Sequence, residues 1–317
     1  MLLVLNRTKL TTQPGGRPPA AVEIAREGVL AAARPAAGRR SSTEPGEAYV
    51  YAYVPLPPGA LVPGIEEPNL RAPEVVTAAI RSALSAVSPR TRAVTLVLPD
   101  TLVRVFMLDF DSLPAKAAEA VPVVRFRLRK MVPFDVEHAG LSYQVLAENK
   151  TACKVLAAVM PGPILAEYET AIRAAGFEPG AVLPSSLAAL EAVDSMEAVL
   201  AANLSTLAMT TAIANGQDLL LYRTLDLPQD PGRRLYEIQR SIAVAAAYYE
   251  DKLGTRPRRL HYAGIQKAGA FAADLAKSPG DPELTIVEWA PHPRGGAMTA
   301  LPQTSFAGVA GALAGAS

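Results

Sequence analysis

The chain has 317 residues, half of them hydrophobic and 19% charged, and a formal net charge of +1. That length predicts about two domains with real cores, and near-neutrality excludes a global field that would draw the protein to nucleic acid. A single cysteine (Cys153) excludes a disulfide framework, three scattered histidines (His138, His261, His292) argue against structural zinc, and no apolar run is long enough to span a membrane.

Residues 1–19 hold the cluster TTQPGGRPP without periodicity and are expected to form a flexible arm. MLLVLNRTKL is too short for a signal-peptide core, so the expectation is a soluble, cytoplasmic protein. Next, AAVEIAREGVLAAA has two apolar runs around AREG and predicts a β-hairpin with Gly28 in the turn. EAYVYAYVPLP predicts a third strand. RAPEVVTAAIRSALSAV predicts a helix, with Pro73 at its start and Val76, Ile80, Ala83, Leu84 and Val87 on one face. AVTLVLPD reads as a buried strand and TLVRVFMLDF as an alternating one.

SLPAKAAEAVPVVRFRLRKMV predicts a helix capped by Ser112, with Pro114 in its first turn and Pro122 kinking or dividing it. Its end gathers Arg125, Arg127, Arg129 and Lys130 ahead of a Val-Pro-Phe stop. GLSYQVLAE and ACKVLAAVM predict strands joined across NKT, and GPILAEYETAIRAAG a helix closed by Gly176.

The second half restarts the pattern. Strand, turn, strand, turn and strand run through AVLAANLSTLAMTTAIANGQDLLLYRTLDL. A long helix, GRRLYEIQRSIAVAAAYYEDKLG, follows with Leu235, Ile238, Ile242, Ala245, Tyr249 and Leu253 as its apolar stripe. RRLHYAG is a strand, and SFAGVAGALAG a small-residue helix suited to close packing. Two halves with the same opening suggest an internal duplication. By fold analogy, a duplicated α/β unit is the layout of the actin and sugar-kinase superfold, so the predicted fold class is α/β: an actin-like (ASKHA, ribonuclease H-like) two-domain duplication. The predicted boundaries are 20–192 for the first domain and 193–317 for the second.

The stretches VTLVLPDTLVRVFMLDFDSLP, RKMVPF and GLSYQVL together resemble PilM, the cytoplasmic actin-like protein of type IV pilus assembly. AAGFEPGAVLPSSLAAL, LLLYRTLDL, EIQRSIAVAAAYYEDKL, HYAG and FAGVAGALA extend the resemblance, in order, over roughly residues 20–315. The cytoplasmic domain of the type II secretion L protein is a related alternative. The resemblance implies that residues from about 101 to 160 form an inserted small α+β subdomain of the first domain, as in the cell-division relative FtsA. It further implies that a groove beside that insertion receives a short N-terminal peptide of the inner-membrane protein PilN. On this reading Arg104, Arg125, Arg129, Pro133 and Phe134 are the candidate partner-binding residues. An ordinary solvated helix face is the competing reading of the arginines.

Nucleotide chemistry in this superfold needs two hairpin turns whose backbone N–H groups cradle phosphate, an acid near the metal, and a Gly-Gly turn beside the adenosine. Here the first turn has Glu23, Ala25 and Arg26 where Asp, Gly and a small hydroxyl are expected. The second has Asn203 and Ser205 in place of an acid and Gly, and the third has Gly264 followed by Ile265. Glu23, Arg26, Asn203, Ser205 and Gly264 therefore outline a degenerate ATP site, with no cofactor or weakly bound Mg·ATP. No catalytic residue and no metal site is assigned. The serines of LPSSLAAL read as a helix cap, Asp109, Asp111 and Asp135 as strand-end and cap residues, and HPRGGAM (292–298) as a loop. Trp289 reads as partly buried.

Two function classes follow. The first is a scaffold of a pilus inner-membrane complex, peripheral to the membrane through partners. It would bind a PilN-type peptide, with motor components or self-association as further contacts and no direct membrane insertion. The second is an active ATPase or phosphotransferase, with a type II secretion L-like scaffold as a third reading.

Overall fold

The structure is a computed structural model that describes residues 17–35, 49–193, 197–216, 218–276, 284–289 and 305–314. The expected arm falls largely outside the described residues, as does HPRGGAM. The chain divides into two compact units, Met1–Ala192 with Pro291–Ser317, and Val193–Ala290.

The first unit is built on a sheet of β1 (Ala20–Ala25), β2 (Gly28–Ala33), β3 (Val50–Pro55), β4 (Ala93–Leu98) and β8 (Glu178–Pro184), in the order β3-β2-β1-β4-β8. β1 to β3 form an antiparallel meander, and β4 and β8 add in parallel. Every residue of β1 and β2 is buried, as expected of strands covered on both faces. Helix α1 (Pro73–Val87) lies against β2 and β3, with Pro73 in its first turn and Val76, Ile80, Ala83 and Leu84 buried. Helix α3 (Gly162–Ala174) packs beside α1 and against β8. It closes at Gly176, whose φ of +94° favours glycine.

The other face carries α4 (Ser185–Leu190) and α7 (Ala307–Ala314). Phe306, Val309, Ala312 and Leu313 bury themselves against Ala21, Leu30, Val97 and Leu183. The small residues of α7 serve this contact: a Cβ on Gly311 would lie 1.9 Å from the Ala188 carbonyl oxygen. Sequence order places this helix in the second domain; the structure corrects that boundary, because its apolar surface belongs to the first unit's core.

Between β4 and β8 the chain builds a second, antiparallel sheet of β5 (Arg104–Phe110), β6 (Gly140–Glu148) and β7 (Cys153–Met160), ordered β5-β7-β6. Helix α2 (Ala117–Leu128) covers one face, with Ala120, Val124 and Leu128 fully buried. Three expectations for α2 are corrected. Ser112 is not its cap, because Pro114 holds the preceding residue extended and the chain stays irregular up to Lys116. Pro122 neither ends nor divides it, since the carbonyl it leaves unpaired, on Ala118, is at a solvent-exposed residue. The helix stops at Leu128, and the next bonds tighten to Arg129 N–H on Phe126 O and Met131 N–H on Leu128 O.

The second unit repeats the first unit's topology: β9 (Val199–Leu204), β10 (Ala208–Asn215), β11 (Asp218–Asp226), β12 (Arg259–Gly264) and β13 (Thr285–Glu288) are ordered β11-β10-β9-β12-β13. Again three antiparallel strands are followed by two parallel ones. Helix α5 (Pro231–Leu253) is capped by Asp230, which accepts from Arg233 N–H at 2.8 Å, and closes at Gly254 with φ +70°. Ile238, Ile242, Ala245 and Tyr249 bury its stripe. Helix α6 (Ala268–Leu275) and β13 have no clear periodicity in the sequence and appear only here. Trp289, beyond β13, is buried, more completely than the partial burial expected of it.

Candidate functional site

Glu23 lies in the middle of β1 and shares with Ala21 the face that α4 and α7 cover. The residue is only 5% exposed. Ser185, the first residue of α4, donates its hydroxyl to Glu23 Oε1 at 2.8 Å, while Oε2 has no hydrogen-bond partner. A Cβ on Gly308 of α7 would stand 2.7 Å from Oε2 and 2.8 Å from Ser185 Oγ, so glycine is what lets the helix roof the carboxyl. Burial pushes the Glu23 pKa up to about 8; the Ser185 hydroxyl pulls it down, and the Asp100 and Glu27 carboxylates push it further up. A carboxyl held neutral near pH 7 is a poor ligand for a hard cation. The turn itself is Arg26-Glu27, between Ala25 and Gly28. Arg26 is exposed, and the Glu27 carbonyl accepts from Tyr53 Oη at 2.8 Å and from Leu56 N–H at 3.1 Å.

Next to Ser185, Ser186 donates its N–H to Asp100 Oδ1 at 3.0 Å and its hydroxyl to Asp100 Oδ2. The serines of LPSSLAAL are thus the first two residues of α4, not its cap. A carboxylate 86 residues upstream caps the helix instead.

In the second unit, the turn between β9 and β10 is closed on itself. Ser205 Oγ accepts from Leu207 N–H at 3.2 Å and Ala208 N–H at 3.0 Å, and Ser205 N–H donates to the Ala208 carbonyl at 2.9 Å. Arg234 of α5 donates to the Thr206 and Ser205 carbonyls at 2.7 Å each. Partial burial lowers the Arg234 pKa. Asn203 is buried in β9, opposite Thr210 and Ala263. Gly264 ends β12, where a Cβ would lie 2.1 Å from Tyr262 Oη. Tyr262 stacks on Phe271 of α6 with ring centroids 4.0 Å apart, so the glycine makes room for a tyrosine. The first N–H of α6, on Ala268, is taken by Glu288 Oε1 at 2.6 Å.

In the inserted subdomain the candidate partner-binding residues separate. Arg125 points inward and donates to the carbonyls of Val136 and Ala139. Arg129 pairs with Glu137, and its guanidinium lies 5.8 Å from the Phe126 ring centroid. Arg104, at the start of β5, reaches the Thr101 carbonyl at 3.5 Å. Phe134 packs against the subdomain core, while Pro133 is exposed. Asp135 accepts from Glu137 N–H at 2.9 Å and from His138 Nδ1 at 2.6 Å; the His138 bond, first, lowers its pKa. Among the described residues no three His, Cys, Asp or Glu side chains are grouped to hold a metal.

The sequence reading does not single out Asp100, Arg234 or Glu288. Each acts on a backbone group far along the chain, and spacing carries no such signal. The Ser185-Ser186 doublet is visible, but its partner is not.

Two units of one strand order, with a small sheet inserted into the first, define the class: an actin-like duplication of a ribonuclease H-like unit. Among solved structures, a chain of a PilM-PilN type IV pilus biogenesis complex is similar to this one, with TM-score 0.65 and 18% identity over 94% of this chain and 97% of that one. This chain therefore has a PilM-like fold. The cytoplasmic domain of EpsL, an inner-membrane component of the type II secretion system of Vibrio cholerae, aligns with TM-score 0.48 and 14% identity over 87% of this chain and 89% of that one. A protein of unknown function with an actin-like ATPase fold, from Bacteroides thetaiotaomicron, gives 0.48 and 10% over 86% and 91%. No family model and no curated protein matches the chain.

Proposed function

We propose that this chain is a PilM-like scaffold of a type IV pilus inner-membrane complex, and that it binds the N-terminal peptide of a PilN-type protein. The observation that carries this is the likeness of fold to a chain of a PilM-PilN complex along nearly its whole length. On this reading the protein works by forming interfaces, is peripheral to the membrane through its partners, and turns over no nucleotide. No helix among the described residues is long and apolar enough to cross a membrane, which fits a partner-held protein.

The chemistry at the first two hairpins supports the absence of turnover. Phosphate needs free backbone N–H groups, yet Ser205 takes two in its own turn and the Ala208 carbonyl a third. A metal needs an ionised acid, yet Glu23 faces inward beneath Gly308 and keeps its proton near pH 7. These residues do not fit Mg·ATP.

The test is calorimetric titration of the full chain, first with Mg·ATP and then with a synthetic PilN-type N-terminal peptide. The expected result is no heat with Mg·ATP and one-site binding of the peptide. Peptide binding that fails while Mg·ATP binds at one site would favour the enzyme class instead.

A further inference from the structure

Helix α2 has two unlike faces. Its inner face, Ala120, Val124 and Leu128, is fully buried on the three-stranded sheet. Its outer face is unpartnered and apolar: Phe126 is 72% exposed, Met131, just past the helix end, 42%, and Val123 37%. Val123, Phe126 and Arg127 are spaced to one side of α2, and Lys130 and Met131 follow in the turn just past its end. No acid occurs between Ala120 and Pro133, while four cations do. Two of these are engaged, Arg125 with backbone carbonyls and Arg129 with Glu137. Arg127 and Lys130 are exposed and make no ion pair among the described residues.

We propose that this outer face of α2 is a peripheral docking surface for an anionic lipid bilayer. Phe126 and Met131 would enter the headgroup boundary, and Arg127 and Lys130 would contact lipid phosphates. Three features favour a bilayer over a folded protein. Phe126 is 72% exposed, with the Arg129 guanidinium 5.8 Å from its ring centroid, so a partner must supply the apolar contact, and a bilayer interface yields to any shape. Three apolar side chains on one short helix offer far less than the roughly 800 Å² that each partner of a stable protein interface buries. Apolar residues flanked by unpaired Arg and Lys are the chemistry that binds helices to anionic membrane surfaces. The surface adjoins the candidate peptide-binding residues Arg125 and Arg129 and adds a direct lipid contact to the peptide binding proposed above.

The test is co-sedimentation of the full chain with vesicles of phosphatidylcholine alone and of phosphatidylcholine mixed with phosphatidylglycerol, at low and at high salt. Partition is expected only onto the mixed vesicles, and salt should weaken it. Each cation near an anionic surface is worth about fivefold in partition. The pair Arg127→Glu and Lys130→Glu should therefore cost more than tenfold, and the pair Phe126→Ala and Met131→Ala several-fold. Both pairs are surface changes, and an unchanged melting temperature verifies folding. Absence of partition onto mixed vesicles overturns the proposal, as does partition that either pair leaves intact. Loss of PilN-type peptide binding in these variants, with vesicle partition unchanged, would reassign the face to a protein partner. Peptide binding that fails in the parent chain while vesicle partition behaves as expected would sink only the scaffold reading.

Discussion

The two units carry the same five-strand order, yet they handle the polar groups near their first hairpins in opposite ways. In the first unit, polar chemistry is drawn inward. Glu23 is roofed by α7, bonded to Ser185, and left with one oxygen unpartnered. In the second unit, polar chemistry is consumed locally. Ser205 and Arg234 tie the turn's own N–H and C=O groups. Both outcomes engage polar groups near the first hairpins, and neither depends on the other. One topology thus sets where such groups stand, while the covering helices and turn residues decide what they can bind.

The largest test of this contrast is the roof itself. Gly311→Ala drives a methyl into the Ala188 carbonyl, a backbone atom that cannot swing away. We expect a loss of about 3 kcal/mol in urea unfolding. A loss below about 1 kcal/mol would mean that α7 does not sit tightly on α4.

Next is the buried acid. In the folded chain Glu23 holds its proton up to about pH 8, whereas an ordinary glutamate releases it near 4.5. Its contribution is therefore fully present below about pH 4.5 and is lost as pH rises toward 8. Glu23→Gln should match the parent's stability near pH 5 and exceed it near pH 9, with a gap that widens as pH rises toward 8. Parallel pH profiles for the two proteins would show that Glu23 is ionised in the fold.

The second unit's lock should be weaker, because its groups are closer to water. Arg234→Met removes two bonds to the Ser205 and Thr206 carbonyls, with an expected loss of about 1.5 kcal/mol. Hydrogen exchange at Leu207 and Ala208 should rise with it; unchanged exchange there would count against the lock. The smallest effect is Tyr262→Phe. The buried hydroxyl has no hydrogen-bond partner among the described residues, so its removal should change the melting midpoint by no more than about 0.5 kcal/mol equivalent.

Periodicity made most of the strands and the long helices legible. The α5 stripe and the Pro73 start of α1 are local patterns, and local patterns survive into the fold. Gly254 and Gly176 mark helix ends because left-handed backbone favours glycine. The sites were legible only as residue types out of pattern. Glu23, Ser205 and Gly264 stand where phosphate turns are expected; in the fold Glu23 is a buried carboxyl bonded by Ser185, Ser205 clamps its own turn and Gly264 makes room for Tyr262.

By itself the sequence determined the duplicated α/β plan, the absence of a disulfide framework, and the gathering of cations before Val132-Pro133-Phe134. These depend on composition and short-range spacing. Only the tertiary structure decided that α7 belongs to the first unit, that Asp100 caps α4, and that Arg125 turns inward while Arg127 stays out. Each of those outcomes depends on which distant surface is left to be covered, or which distant polar group is left to be satisfied, and that is fixed only when the chain is packed.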